Sequence, residues 1–344
     1  MARPILGRVL PEQRRPTGVA APGQPTVGEP GTARIAVDLL GGDHAPAVVV
    51  DGALRACQAD PSLHLLLVGP VEAAEGVLAA LGPADQPRVR TLAVPLSHGP
   101  DGRDTGTWTE SGVRTAVLAV AQGLADAALS AGNTGATVTS AALGLGRWPE
   151  VRRPALAAVL PTAAGRLVLL DVGSSVDPDE QTLAMHARLG AAYAVIVHEI
   201  AEPRVGLLSI GTEQGKGDRL RRAVPSLLAA GRLPAGARYA GLVEGNDVVL
   251  GTAADVVVTD GFTGNVLLKG LETAYARIGP PHPPAAGAPP RAALLLGVAG
   301  TVVVCHGAAS GADIAAGIGL AAQLHRRAAV AAIAELITHN EVSP

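Results

Sequence analysis

Five short stretches of the chain combine glycine with aspartate, asparagine, serine or threonine, and each closes an apolar run. They are Asp38-Leu-Leu-Gly-Gly-Asp43, Ser130-Ala-Gly-Asn-Thr-Gly-Ala136, Asp171-Val-Gly-Ser-Ser-Val-Asp177, Gly211-Thr-Glu-Gln-Gly-Lys-Gly-Asp218 and Asp260-Gly-Phe-Thr-Gly-Asn265. Glycine lets backbone N–H groups approach an anion, and the amide and hydroxyl side chains add neutral donors. Ahead of a helix, orphan N–H groups and the helix dipole both favour negative charge. The chemistry such loops suit is the holding of a phosphate-like oxyanion. The candidate anion-binding positions are Asp38, Gly41, Gly42 and Asp43 in the first loop and Gly132, Thr134 and Gly135 in the second. Gly173 and Asp177 follow in the third, Gly211 in the fourth, and Asp260, Gly261, Thr263 and Gly264 in the fifth. None of the loops has the Lys-Ser/Thr ending of a P-loop or a clear G-x-G-x-x-G fingerprint, which argues against ATP-driven and dinucleotide chemistry.

Among 27 basic residues only Lys216 and Lys269 are lysine, and both stand beside glycine-rich loops. A compact ammonium can meet a phosphate end-on in a way a guanidinium does not. The aspartates have two readings, as orienting or proton-accepting groups and as helix caps, and for Asp177 before Pro178 the cap is preferred. His306 ends an apolar strand, as an acid–base group or a buried structural histidine. Cys305 reads as inert core, with a covalent acyl-enzyme as the alternative.

The elements that must position these loops are strands alternating with helices, which implies a mostly parallel sheet covered on both faces. Strands are expected at 34–38, 63–68, 88–94, 125–129, 155–160, 167–170, 205–210, 239–243 and 256–258, the last buried on both faces. Residues 294–304 read as one further apolar strand leading to Cys305-His306-Gly307. Helices are expected at 46–59, 71–81, 111–122, 137–145 and 178–200, with the first turn of another at 266–268 and a long closing helix at 310–337. A turn at 163–165 pairs two of the strands. Residues 97–110 read as a polar loop and 279–290 as a flexible link. All five glycine-rich loops then lie at strand C-terminal ends, where open α/β sheets place ligands, and converge on one sheet edge.

Composition narrows the class. With 48% hydrophobic and 17% charged residues the 344-residue chain can build a large core. Residues 1–33, rich in Pro, Gly and Arg, are expected to be a disordered extension, and 34–344 one domain. A net charge of −3 and 2% aromatics speak against nucleic acid. Two cysteines make neither a disulfide framework nor a metal site, and no metal or cofactor is expected. No signal core or membrane span is expected, which places the chain in the cytoplasm, at most peripheral to a membrane.

In chain order, the five loops together with Arg153-Pro-Ala155 and His306-Gly307 resemble the PlsX-type phosphate acyltransferases, over about 34–337. The resemblance implies a homodimeric, Rossmann-like α/β/α sandwich akin to phosphotransacetylases and isopropylmalate dehydrogenases. It implies transfer of an acyl group from acyl-[acyl carrier protein] to inorganic phosphate, giving acyl phosphate for phospholipid synthesis. That reaction needs two positioned reactants and donors for a developing oxyanion, with no covalent intermediate. In that setting Lys216 is the catalytic cation, orienting phosphate or stabilising the departing thiolate. Asn133, Thr134 and Asn265 are oxyanion donors, Asp171 a base and His306 an acid–base group.

The chain departs from the family in three places. Residues 105–111 lack a basic segment and carry Glu110 instead, and Ser174-Ser175 stands where Ala-Asn is common. Residues 275–291, proline-rich and of low helical potential, replace a long amphipathic insertion, which removes the basis for membrane contact through that element. These departures motivate two other readings: a diverged, weakly active paralogue binding carrier protein or acyl ligand, and an acyltransferase using a short-chain or coenzyme A-linked donor.

Overall fold

The computed structural model describes residues 31–94, 108–213, 215–281 and 290–339. The first half runs β1 (Ala33–Asp38), α1 (Ala47–Ala59), β2 (Leu63–Gly69), α2 (Val71–Ala80), β3 (Val89–Ala93), α3 (Trp108–Ala121), β4 (Ala127–Ser130) and α4 (Thr134–Gly144). A hairpin follows, β5 (Ala155–Thr162) and β6 (Gly165–Leu170). Then come α5 (Glu180–His198), β7 (Arg204–Leu208), α6 (Arg219–Ala230), β8 (Arg238–Val243), α7 (Gly245–Leu250), β9 (Val256–Val258) and α8 (Gly261–Ile278). The chain closes with β10 (Ala292–Leu296), β11 (Thr301–Cys305), α9 (Gly311–Arg326) and α10 (Ala329–His339).

All these strands join one sheet in the order β3-β2-β1-β4-β11-β10-β5-β6-β9-β7-β8. Side chains alternate across it with period two. Ala155, Ala157, Val168, Leu170, Val256 and Val258 enter a core shared with α1, α5 and α9, while Leu156, Ala158, Leu167, Leu169 and Val257 enter the core under α4, α7 and α8. The result is an α/β/α sandwich. Every residue of β9 is buried, in keeping with its unbroken valine run.

Most neighbouring strands are parallel, but β11–β10, β10–β5 and β5–β6 are antiparallel. Three successive reversals turn the polarity over. Strands β1, β4 and β11 end at one rim of the sheet, and β6, β7 and β9 end at the opposite rim. The expected convergence of the five loops on a single edge is therefore incorrect. Two loops and His306 gather at the first rim, and three loops gather at the other.

Other boundaries differ for local reasons. The apolar run 294–304 is not one strand: it folds back between β10 and β11, with Ala292 opposite Cys305. Gly297 sits in the turn at φ 92°, and a Cβ there would lie 2.6 Å from Val151, so both conformation and space require glycine. The closing helix breaks at Ala328, which has φ 47°. Helix α3 begins at Trp108, inside the expected loop, and α8 runs to Ile278, into the segment read as non-helical. Of the expected N-terminal extension, residues 1–30 lie outside the described residues and Ala33 already belongs to β1; 95–107 and 282–289, from the expected loop and link, also lie outside.

Helix α8 packs closely at its start and loosely later. A Cβ on Gly264 would come within 2.0 Å of the Asp171 carbonyl oxygen, whereas one on Gly270 would meet nothing within 4 Å. Gly264→Ala is expected to destabilise the protein by about 1–3 kcal/mol or more through overpacking. Gly270→Ala is expected to stabilise it by roughly 0.5–1 kcal/mol through helix propensity. Denaturant melts of the two variants check both signs.

Candidate active site

At the first rim the loops after β1, β4 and β11 interlock. Asp38 is fully buried; its Oδ2 accepts from the Ser130 hydroxyl at 2.7 Å and its Oδ1 from the Leu40 N–H at 3.1 Å. Gly132 N–H donates to Ser130 Oγ at 3.0 Å. A Cβ on Gly41 would stand 2.6 Å from Gly132 N and 2.9 Å from Asp38 Oδ2, so the two loops cross where only glycine fits. Gly42 adopts φ 116°, and Asp43 N–H donates to the Gly307 carbonyl at 2.8 Å, which draws His306 against this cluster. Ala308 N–H donates to His306 Nδ1 at 3.1 Å, so the neutral ring carries its proton on Nε2. Burial pushes the Asp38 carboxyl up to about 6, against the hydrogen bonds from Ser130 and Leu40.

Helix α4 starts at Thr134, earlier than expected, because Asn133 caps it: Asn133 Oδ1 accepts from the Ala136 N–H at 2.9 Å. Gly135 and Thr134 are thus first-turn residues. The Asn133 amide nitrogen is left for other partners.

At the opposite rim Asp171 is buried and gathers four backbone donors: Leu156 at 2.9 Å, Gly173 at 3.2 Å, Ser174 at 3.0 Å and Ser175 at 2.5 Å. These N–H groups turn inward on a carboxylate, so the loop offers them to no outside anion. Burial pushes the Asp171 carboxyl up, opposed by the nearby His186, whose own burial drives its pKa down. Asp260 caps α8: its Oδ1 accepts from Thr263 N–H at 2.8 Å, and its Oδ2 from the Thr263 hydroxyl at 2.9 Å and from buried Arg221 at 2.8 Å. Burial works against its charge, yet the hydrogen bonds from Thr263 and Arg221 together hold the carboxyl below the usual range. Gly261 N–H donates to the Ser175 carbonyl at 2.8 Å, tying the two loops together. The fifth stretch is therefore the first turn of α8 itself, not a turn preceding it. Asn265 donates its amide to the Val172 carbonyl at 3.0 Å and lies against Gly173.

Two residues stand elsewhere than expected. Asp177 is exposed and caps nothing; Asp179 is the cap of α5, accepting from Thr182 N–H at 2.8 Å. Lys216 is exposed, its stem folded over Gly211, and it lines neither of the two hollows described below. Lys269 is exposed as well.

A cavity of about 480 Å³ joins the two rims. Its floor is apolar, built by Leu156, Ala158, Leu160, Ala293 and Val304, and one wall is α8 through Asn265, Leu268, Glu272 and Tyr275. Asn265 and Val172 mark one end; Thr134, His306, Arg291 and Asp313 mark the other. From Leu156 to Pro161 along β5 it extends roughly 16 Å, at about 3.3 Å per residue. Cys305 lines it as a buried thiol whose pKa is pushed up to about 12 by burial, which keeps it neutral and unreactive. A second hollow of about 590 Å³ lies beside the loop after β7, between Ile210, Phe262, Val266 and Arg221.

Sequence reasoning missed Glu272, Tyr275, Arg291 and Asp313. A signal was present for three of them. Asn265, Leu268, Glu272 and Tyr275 follow helical spacing on one stripe, and Arg291 lies two residues before Ala293, on the same sheet face.

Among known proteins, residues 33–279 match the family model described as fatty acid synthesis protein. The chain is 40% identical to the phosphate acyltransferase of Thermobifida fusca (strain YX) over 313 residues, covering 82% of this chain and 84% of that protein. Among solved structures, a branched-chain phosphotransacylase from Enterococcus faecalis V583 superposes with a TM-score of 0.58 at 14% identity, over 86% of this chain and 99% of that one. The 4-hydroxythreonine-4-phosphate dehydrogenase of Klebsiella pneumoniae gives 0.54 at 15% identity, over 86% and 98%. The fold is thus that of the phosphotransacetylase-like α/β/α enzymes. Within that class the chain belongs to the PlsX-type phosphate acyltransferase family and is an acyltransferase.

The Asp38 carboxyl, raised by burial, binds a proton in the folded state that the unfolded chain has already released between about pH 4 and pH 6. Stability from this group is thus lost as pH rises through that window, by roughly 3 kcal/mol for a shift of about two units. Asp38→Asn is expected to remove that slope. Denaturant unfolding of both proteins at several pH values, taken as a difference, checks it.

Proposed function

We propose that the chain transfers the acyl group of acyl-[acyl carrier protein] to inorganic phosphate, yielding acyl phosphate for phospholipid synthesis. The observation that carries this reading is the cavity: an apolar channel suited to an aliphatic chain, with amide, hydroxyl and imidazole donors at its ends. In this reading the alkyl chain lies over Leu156, Ala158 and Ala293. An oxygen of hydrogen phosphate forms the new C–O bond at the thioester carbonyl and the C–S bond breaks. Sulfur leaves with the bonding pair and receives the proton that phosphate gives up. His306 donates through Nε2–H to the attacking phosphate, with Thr134 and the Asn133 amide as donors to the developing oxyanion from the α4 N-terminus.

Asp38, Asp171 and Asp260 are positioning residues here, since their oxygens are already engaged within the loops. The glycines at 41, 42, 132, 173, 261 and 264 let those loops approach one another, while Gly211 packs on Glu213 and Lys216 of its own loop. Lys216, on an exposed loop outside the cavity, acts on the arriving donor and not on the reacting carbonyl. The reading includes a homodimer and docking of the carrier protein. No described helix is long and apolar enough to cross a membrane.

The test is formation of acyl phosphate, trapped as the hydroxamate, from purified chain, acyl-carrier protein and phosphate, with acyl-coenzyme A as a parallel donor. His306→Ala is expected to lower kcat at least tenfold, and Lys216→Ala to raise KM for the donor with little change in kcat. No acyl phosphate from either donor above the His306→Ala background, with both proteins folded, would overturn the reading. Turnover with the coenzyme A donor alone would replace the carrier protein in it.

A further inference from the structure

The polar end of the cavity carries more charge than an acyl chain calls for. Glu272 enters from the fourth turn of α8, His306 from the end of β11, Arg291 from the residue before β10 and Asp313 from the first turn of α9. The Glu272 carboxylate makes no hydrogen bond and no ion pair with any described residue. Arg291 is held over α8 by a bond from its guanidinium to the Glu272 backbone carbonyl at 2.8 Å, which uses one of its five donors. One turn along, the Tyr275 hydroxyl lines the same cavity, buried and without a partner among the described residues. Burial pushes the Glu272 carboxyl up; His306, Arg291 and Lys269 oppose that and Asp313 adds to it.

Donors and an acceptor thus border one space without satisfying each other, and of these the Tyr275 hydroxyl is buried, where an unpaired polar group is costly. A ligand that satisfies them must bring several acceptor oxygens and one proton. A tetrahedral oxyanion without a proton meets Arg291, His306 and Tyr275 well but sets a bare oxygen against a carboxylate. Hydrogen phosphate turns its P–OH to that carboxylate instead.

We infer that Glu272 is the residue that selects hydrogen phosphate over fully deprotonated oxyanions, accepting its P–OH while Arg291, Tyr275 and His306 donate to the remaining oxygens. This rests on the proposed function, because it places the phosphate substrate in that cavity. It also explains how an anion site can include a carboxylate at all: the group discriminates by requiring a proton.

The experiment is calorimetric titration of the purified chain with inorganic phosphate and, separately, with sulfate, at pH 7.5 and matched ionic strength, with no acyl donor present. The wild-type protein is expected to bind phosphate at least tenfold more tightly than sulfate. Glu272→Gln, which can donate to either anion, is expected to bring the two within about twofold. Arg291→Gln is expected to weaken both alike and keep their ratio. Equal binding of both anions by the wild-type protein, or no phosphate binding, overturns the inference without any variant. An unchanged ratio in folded Glu272→Gln also overturns it. A wild-type protein that discriminates as expected yet forms no acyl phosphate overturns the proposed function and leaves the anion assignment standing.

Discussion

Three consecutive antiparallel pairings in the middle of an otherwise parallel sheet govern where everything else in this molecule lies. Because β10 runs against both of its neighbours and β6 against β5, the strand ends on the two sides of the sheet point to opposite rims. Loops that would crowd a single edge of a purely parallel sheet are separated. The space between them becomes the channel over β5 and β10. An apolar floor with polar ends follows from that geometry: mid-strand residues of a covered sheet are apolar, while loop residues at strand ends carry the polar groups.

Each rim is organised by a carboxylate that faces inward. Asp38 and Asp171 are fully buried and Asp260 nearly so. Removing a carboxylate from water is strongly unfavourable unless hydrogen bonds replace the lost hydration. Each of them is accordingly surrounded by donors: a serine hydroxyl and a backbone N–H for Asp38, four backbone N–H groups for Asp171, and the Thr263 and Arg221 donors for Asp260. These bonds fold the loops tightly enough that glycine becomes obligatory at the crossings, as at Gly41 and Gly264. The glycine-rich appearance of the loops therefore reflects, first, how closely they pack on one another. Groups left over for a ligand are side chains at the cavity ends, not rows of bare backbone N–H.

Much of this was legible beforehand. Most of the strand and helix order is legible in the β-branched runs, including buried β9, and the turn at 163–165 marks the hairpin, whereas α7 and the break between α9 and α10 are not. The ordered set of motifs led to the family. What was not legible follows from non-local pairing. Nothing between residues 292 and 305 announces that the run folds back on itself except Gly297 and Gly300, and one reversal more or less exchanges the rims. Arg221, central to the α8 cap, lies 39 residues before the aspartate it holds. Lys216 stands out by residue type and neighbouring glycines, but the fold leaves it on an exposed loop, whereas Glu272 lies inside a helix on the stripe of Asn265, Leu268 and Tyr275.

The amino-acid sequence alone determined the class of fold, the acyltransferase family and the loops that carry polar groups, because period-two alternation and short glycine-bearing motifs are local properties of the chain. Only the tertiary structure decided which loops meet, which carboxylates are already satisfied and which side chains border the cavity. Those outcomes depend on strand polarity and on the partners a buried charge finds far along the chain. Both are settled when the sheet assembles, since no local stretch contains the other half of the contact.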